Sequence, residues 1–239
     1  MENIVFSFHN KSGDKSLNFA VLSDFDGTIT EIDTAVIVFN KFIKGNWKIF
    51  NEQLDRGEIT LEQCMREQFS MIKAPKSVIL KEFKLNIPFR PGFKELVYFC
   101  DDNQMPFEIV SAGLDFVINH LLKVKGLEGK TKVCAARTRF TNDGIDMDSI
   151  ELHERNSIDF KRDLVNYYKD KKYFVFFIGD GMSDKDAAKS ADYVFVIKGS
   201  RLAEFCKNEG IDHQEIDDFQ EVIKRIREIR AKKAVEQLR

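Results

Sequence analysis

An α/β fold is predicted for this chain: a doubly wound, Rossmann-like parallel sheet as the core, with a small α-helical domain inserted after the first strand. Three observations carry the prediction. Short apolar runs rich in β-branched and aromatic residues alternate with helical patterns, two of those runs end in aspartate–glycine clusters, and more than eighty residues separate the first run from the second. Strands that are apolar throughout belong to sheets covered by helices on both faces, since a strand with one wet face alternates instead.

The first run, Phe19 to Leu22, is followed at once by Ser23 to Thr30, SDFDGTIT. Residues Asp33 to Lys84 then supply helical patterns only, with apolar positions at Ala35, Val36, Val38, Phe39 and Phe42, then Leu61, Met65, Phe69 and Ile72, then Val78, Ile79 and Phe83. Thr60 with Gln63 three residues later makes a capping-box start, and Pro75 breaks the chain before another helix. One crossover helix needs far fewer residues, so this stretch is read as a helical cap over residues 32–86, and the core as residues 1–31 and 87–239. Phe42, Trp47 and Phe50 within it are read as packing. Arg90-Pro91-Gly92 is the return hinge, and Phe93, Leu96 and Val97 face inward on the next helix. Further strands are expected at Phe107 to Val110, Lys132 to Ala135, Tyr173 to Ile178 and Tyr193 to Ile197. A terminal helix places Phe219, Val222, Ile223, Ile226 and Ile229 on its apolar side, with Lys224, Arg225, Arg227, Arg230, Lys232 and Lys233 on a solvated basic face.

Bulk properties narrow the function. A chain of 239 residues buries a substantial core, and a net charge of -2 argues against a protein built to neutralise nucleic acid or coat an anionic membrane. Cys64, Cys100, Cys134 and Cys206 lie more than thirty residues apart, so no C-x-x-C pair holds zinc or runs redox chemistry. The start MENIVFSFHNKSGDK has no secretory pattern, and no stretch of eighteen apolar residues occurs. The expectation is a cytoplasmic protein, with its oligomeric state left open.

The second acidic run, Ile178-Gly179-Asp180-Gly181-Met182-Ser183-Asp184, also leaves an apolar strand. Ligands of open parallel sheets bind beyond the carboxyl ends of the strands, so this run and SDFDGTIT can share one crevice. Asp24, Asp26, Asp180 and Asp184 would then repel one another unless protons or a cation intervene. An all-oxygen set suits a hard ion such as Mg²⁺. Thr28, Ser183 and Ser111, the last in Ile109-Val110-Ser111-Ala112-Gly113, can donate hydrogen bonds to an anion. Lys161, on a helix in Asp159-Phe160-Lys161-Arg162, reads by position alone as a surface lysine.

Together these motifs resemble the haloacid dehalogenase superfamily of aspartate-nucleophile phosphatases. The likeness rests on D-x-D-G-T-x-T, a strand ending in Ser111, a lysine nineteen residues before Asp180, and G-D-G-x-x-D, in that order from Asp24 to Asp184. The resemblance implies that Asp24 attacks phosphorus to give an aspartyl-phosphate, and that Asp26 is acid and then base. It also implies Mg²⁺ held by Asp24, the Asp26 carbonyl and Asp180, with Asp184 orienting the ion's hydration. Ser111, Ala112 and Lys161 would bind the phosphoryl oxygens. The reaction implied is Mg²⁺-dependent hydrolysis of a small phosphomonoester. Phosphoryl transfer to another acceptor and a non-catalytic phosphate-binding regulator stay open as alternatives.

The segment Gly57 to Gln68 is similar to the cap segment of the phosphoserine phosphatase subgroup, where the last position is an arginine that grips the serine carboxylate. Gln68 stands there instead, and Asp33 replaces the cap glutamate as a substrate contact. Pro106 to Phe116 and Gly179 to Lys189 resemble the methionine-salvage phosphatases that act on a hydroxy-ketomethylthiopentenyl phosphate. A dinucleotide-dependent oxidoreductase would need G-x-G-x-x-G after the first strand, which this chain lacks. A nucleic-acid module would rest on the basic terminal helix alone.

Overall fold

A computed structural model of the chain describes residues 17–83, 87–150, 153 and 159–237. Six strands form one sheet in the order β3-β2-β1-β6-β7-β8, built from β1 (Asn18–Ser23), β2 (Phe107–Val110), β3 (Lys132–Cys134), β6 (Tyr173–Gly179), β7 (Tyr193–Ile197) and β8 (His213–Ile216). Every neighbouring pair is parallel. The last five residues of both β1 and β6 are buried, which is why neither run alternates. Each Val, Leu, Ile or Phe so placed contributes about 1.5–3 kcal/mol over its exposed state.

Helices α5 (Phe93–Asp102), α6 (Asp115–Val124), α7 (Phe160–Asp170), α8 (Lys185–Ser190), α9 (Arg201–Glu209) and α10 (Phe219–Gln237) cover this sheet. From β1 the chain goes first to β2 and β3 on one side, and then to β6, β7 and β8 on the other. The order therefore reverses at β1, and a crevice opens beyond the strand ends there. Ser23 at the end of β1 is in register with Ile109 on β2 and Ile178 on β6, so the loops leaving all three strands start side by side.

Between β1 and β2 lie α1 (Thr34–Phe42), α2 (Lys48–Asp55), α3 (Leu61–Ser70) and α4 (Lys76–Lys81). The capping box at Thr60 is formed in both directions, with Thr60 Oγ1 accepting from Gln63 N–H and Gln63 Oε1 accepting from Thr60 N–H. Pro75 is the N-cap of α4. The expected boundary of the insertion falls partly on residues 84–86, and the start of the expected core on residues 1–16; both lie outside the described residues.

Several elements differ from the sequence expectation. The third strand stops at Cys134 rather than Ala135, and Ile72 lies past the end of α3. Three strands and two helices went unread: β8, the antiparallel hairpin of β4 (Thr138–Thr141) with β5 (Gly144–Met147), and the helices α2 and α9. That hairpin meets α3, where Arg66 Nη1 donates to the Met147 carbonyl at 2.9 Å and pairs with Asp146 at 3.3 Å. On α10 the basic face is not simply solvated. The Arg227 guanidinium lies 5.1 Å from the Phe99 ring, that of Arg230 5.8 Å from Phe19 and the Lys233 ammonium 5.1 Å from Phe174, so these cationic heads sit over aromatic surface.

Candidate active site

Asp24 sits one residue past β1, with its amide N–H donated to the Ile178 carbonyl at the end of β6. That bond fixes its carboxylate at the head of the crevice. Lys161, in the first turn of α7, is completely buried and its ammonium donates to Asp24 Oδ1 at 2.8 Å and to Asp184 Oδ1 at 2.6 Å. The surface placement expected from its helix position is thus overturned. Two carboxylates hold the charge where no water can. Burial alone would lower the Lys161 pKa, but Asp184 and Asp24 overrule it and hold the group above its ordinary value.

Asp184 is fully buried, and its second oxygen accepts the N–H groups of Asp180 and Gly181 at 3.1 and 3.0 Å. Both of its oxygens therefore serve the loop and the lysine. Asp180 accepts from Thr28 Oγ1 at 2.9 Å, which ties the two acidic runs together. Gly27 makes that approach feasible: its φ is 79°, and a Cβ there would fall 2.4 Å from Asp180 Oδ2.

Asp26 is held through one oxygen only. Its Oδ1 accepts from both the N–H and the hydroxyl of Thr34, at 2.7 and 2.5 Å, while Oδ2 is buried and accepts no hydrogen bond among the described residues. Gly113 leaves the room, because a Cβ at that position would lie 2.3 Å from Asp26 Oδ2. Ser111 is buried beside it and accepts from Gly113 N–H at 3.0 Å, and among the described residues the Ala112 N–H donates to no protein acceptor.

The acids pay electrostatically for this crowding. Burial, then the charge of Asp184, push Asp24 up to about 7 against the pull of Lys161. Burial, then Asp33, push Asp26 up to about 8. Burial, then Asp24 and Asp184, push Asp180 up to about 8. One lysine does not satisfy the cluster. Carboxylate oxygens of Asp24, Asp180 and Asp184 lie within 4.8 Å of one another, and the Asp26 carbonyl accepts no hydrogen bond among the described residues. This all-oxygen, over-charged set fits a hard divalent cation.

Beyond the acids a cavity of about 200 Å³ runs up to the insertion. Phe39, Trp47, Leu54, Leu61 and Met65 form its apolar wall, with the Trp47 ring tilted against Phe39 at 5.1 Å between centroids. Gln68 is buried and donates to Asn51 Oδ1 at 2.8 Å and the Trp47 carbonyl at 3.3 Å. At the mouth, Arg201 on α9 pairs with Asp55 on α2 at 2.8 Å. Asp33 lines the cavity and is the N-cap of α1, accepting from Val36 N–H at 2.8 Å.

Asp24, Asp26, Asp33, Ser111, Ala112, Lys161 and Asp180 all line this one cavity, and Asp184 supports it from behind. Sequence reading did not find Thr34, Asn51, Arg201 or Arg90. Arg90 donates to the Gly27 and Thr28 carbonyls at 2.9 Å each and to the Asp217 carbonyl at 3.3 Å, clamping the loop that carries the aspartates. The hinge placed Arg90 next to that loop, but only coordinates show a side chain reaching main-chain carbonyls.

A family model described as haloacid dehalogenase-like hydrolase matches residues 21–189. The 2-hydroxy-3-keto-5-methylthiopentenyl-1-phosphate phosphatase of Bacillus velezensis is 29% identical over 88% of this chain and 92% of its own length. The polyol phosphate phosphatase of Saccharomyces cerevisiae is 27% identical over 88% and 93%. The bifunctional enzyme MtnB/MtnX of Bacillus licheniformis is 28% identical over 84% of this chain, which spans 48% of that protein. A solved phosphoserine phosphatase, in a phospho-aspartyl intermediate analogue form, superposes with a TM-score of 0.64 at 18% identity, covering 87% of this chain and 99% of that one. Among the described residues no helix is long and apolar enough to cross a membrane.

Proposed function

The chain belongs to the haloacid dehalogenase-like hydrolases, and on that premise we propose that it hydrolyses a small phosphomonoester through an aspartyl-phosphate on Asp24, with the helical insertion over residues 32–86 as the cap of the site. The phosphatase names of its relatives support this reading. One observation carries it: in a single cavity, Asp24 is paired with buried Lys161 at 2.8 Å, while beside it Asp26 keeps one buried oxygen free of any partner among the described residues.

Asp24 forms a bond to phosphorus as the ester P–O bond breaks. Asp26 Oδ2 delivers a proton to the departing oxygen, a task suited to a carboxyl that burial and Asp33 push up to about 8. In the second half Asp26 takes a proton from water, the water oxygen attacks phosphorus, and Asp24 leaves with inorganic phosphate formed. The Ser111 hydroxyl, the Ala112 N–H and Lys161 hold the phosphoryl oxygens. A Mg²⁺-type cation held by Asp24, the Asp26 carbonyl and Asp180 would supply the positive charge that reconciles nucleophile and phosphate.

The test is phosphate release from a panel of phosphorylated metabolites with Mg²⁺ present and then chelated, beside Asp24→Asn. Release that stops on chelation and is absent from a folded Asp24→Asn protein is expected. Undiminished release from that variant would remove Asp24 as nucleophile.

A further inference from the structure

The two oxygens of Asp26 are held unequally, and the inequality decides where its proton can sit. Oδ1 accepts from the Thr34 N–H at 2.7 Å and from the Thr34 hydroxyl at 2.5 Å, whereas Oδ2 is buried and has no hydrogen-bond partner among the described residues. A neutral carboxyl keeps one oxygen as a bare acceptor and carries its proton on the other. With both lone pairs engaged by donors, Oδ1 is the acceptor, and the proton is left to Oδ2. That oxygen lies on the Ser111 side of the cavity: a Cβ at Gly113 would fall 2.3 Å from Asp26 Oδ2 and 3.2 Å from Ser111 Oγ.

Thr34 can supply two donors because it opens α1. The first N–H groups of a helix have no intrahelical acceptor; Asp33 takes that of Val36, and Asp26 takes that of Thr34. A threonine that served only to start the helix would turn its hydroxyl onto the helix's own N–H groups. That task belongs to Asp33, the N-cap. Thr34 is buried, so water does not compete for its bonds. Its place is set from the core: Glu31 N–H donates to the Pro88 carbonyl at 3.0 Å, Arg90 N–H to the Ile29 carbonyl at 2.7 Å and Thr30 Oγ1 to the Ile32 carbonyl at 2.7 Å. The two chain connections of the insertion are thereby fastened together just before Thr34.

Resting on the phosphomonoesterase reading, we infer that Thr34 is the positioning residue of the general acid: its two donors commit Asp26 Oδ1 to accepting, so that the acid proton stands on Oδ2, toward the departing oxygen. As the Asp24–phosphorus bond forms and the ester P–O bond breaks, the Oδ2 proton passes to that oxygen and Asp26 is left as a carboxylate, still held through Oδ1. Thr34 is not among the residues that line the cavity and acts only through Asp26. Without its hydroxyl, Oδ1 regains a free lone pair, and the proton is divided between the two oxygens.

Leaving-group dependence tests this on the full chain with Mg²⁺. Phenyl, p-nitrophenyl and 2,4-dinitrophenyl phosphate release phenols of increasing acidity, and the most acidic departs without help from an acid. The readout is kcat/KM, which covers the steps up to that departure and leaves out the later hydrolysis of the aspartyl-phosphate. Thr34→Val keeps the shape and the backbone N–H bond and removes the hydroxyl. Its kcat/KM for phenyl phosphate should fall by at least about tenfold, the worth of one hydrogen bond, and for 2,4-dinitrophenyl phosphate by less than about threefold. Thr34→Ser, which restores the donor, should stay within about threefold of wild type on all three esters. In an Asp26→Asn background Thr34→Val should add less than about threefold, since no proton is left to place. Thr34→Ala repeats the series where valine disturbs folding. An equal loss on all three esters, no loss on phenyl phosphate, or a serine variant as impaired as the valine one overturns the inference while leaving the phosphatase reading in place. No release by the wild-type protein from these esters or from the metabolite panel overturns that reading and this inference with it.

Discussion

Lys161→Met isolates the contribution of the buried ammonium. In the protein without metal, Lys161 is fully buried, bonded at 2.8 Å to Asp24 and at 2.6 Å to Asp184. Methionine nearly matches its volume, so the change removes charge rather than packing. Taking away one member of a buried ion pair costs about 3–5 kcal/mol, because the partner charge stays behind without compensation. At this chain length each kcal/mol moves the melting midpoint by about 2–4 °C, so a fall of about 6–20 °C is expected in EDTA. Catalysis should suffer as well, by about 10²–10³ in kcat, the usual loss when one preorganised donor to a developing charge is removed. Scanning calorimetry and phosphate release measure the two effects. Adding Asp184→Asn should restore part of the lost stability, with a coupling of about 0.5–3 kcal/mol in the double-mutant cycle. A midpoint within about 2 °C of wild type and a kcat within about threefold would refute the reasoning, since surface substitutions behave in that way.

Gly113→Ala puts a methyl group 2.3 Å from Asp26 Oδ2, so the acid must swing away; kcat should fall more than about tenfold, through loss of general acid catalysis, with a smaller change in KM for the preferred ester. Arg90→Gln removes the clamp on the Gly27 and Thr28 carbonyls; stability should drop by about 1–3 kcal/mol, and calorimetric Mg²⁺ affinity should weaken, while Arg90→Lys recovers part of both. In EDTA the melting midpoint should fall as pH rises toward 8. Asp24, Asp26 and Asp180 titrate near 7, 8 and 8 when folded but near 3.8 when unfolded, so the folded state binds more protons across that window and loses the advantage as they leave. Saturating Mg²⁺ should flatten the slope, and a midpoint that climbs with pH in EDTA would contradict the burial of these acids.

The sequence made the central strands legible because burial on both faces leaves an unbroken apolar run, as in VFFIG at the end of β6. β8 escaped for the opposite reason. As an edge strand reading HQEI it exposes polar side chains and has no such run. The β4–β5 hairpin carried one usable signal, Asn142-Asp143-Gly144 at its turn, between strands too polar to stand out. Asp24 and Asp180 were readable from their place at strand ends, since register brings the exits of β1, β2 and β6 together whatever the side chains do. Lys161 was readable only through the family resemblance, because a lysine on a charged helix looks exposed until the two carboxylates that bury it are placed in space. Gln68 and Asn51 lie on different helices of the insertion, and their pairing depends on how α2 packs on α3, which helical periodicity does not encode.

The nucleophile is tested most directly by trapping. The protein is mixed with a turned-over phosphomonoester, quenched during steady state, reduced with borohydride and digested for peptide mass spectrometry. An acyl phosphate at Asp24 predicts homoserine at position 24 and nowhere else, only when substrate is present. Steady turnover with an unmodified Asp24, or with the reduced residue at another carboxylate, contradicts the account.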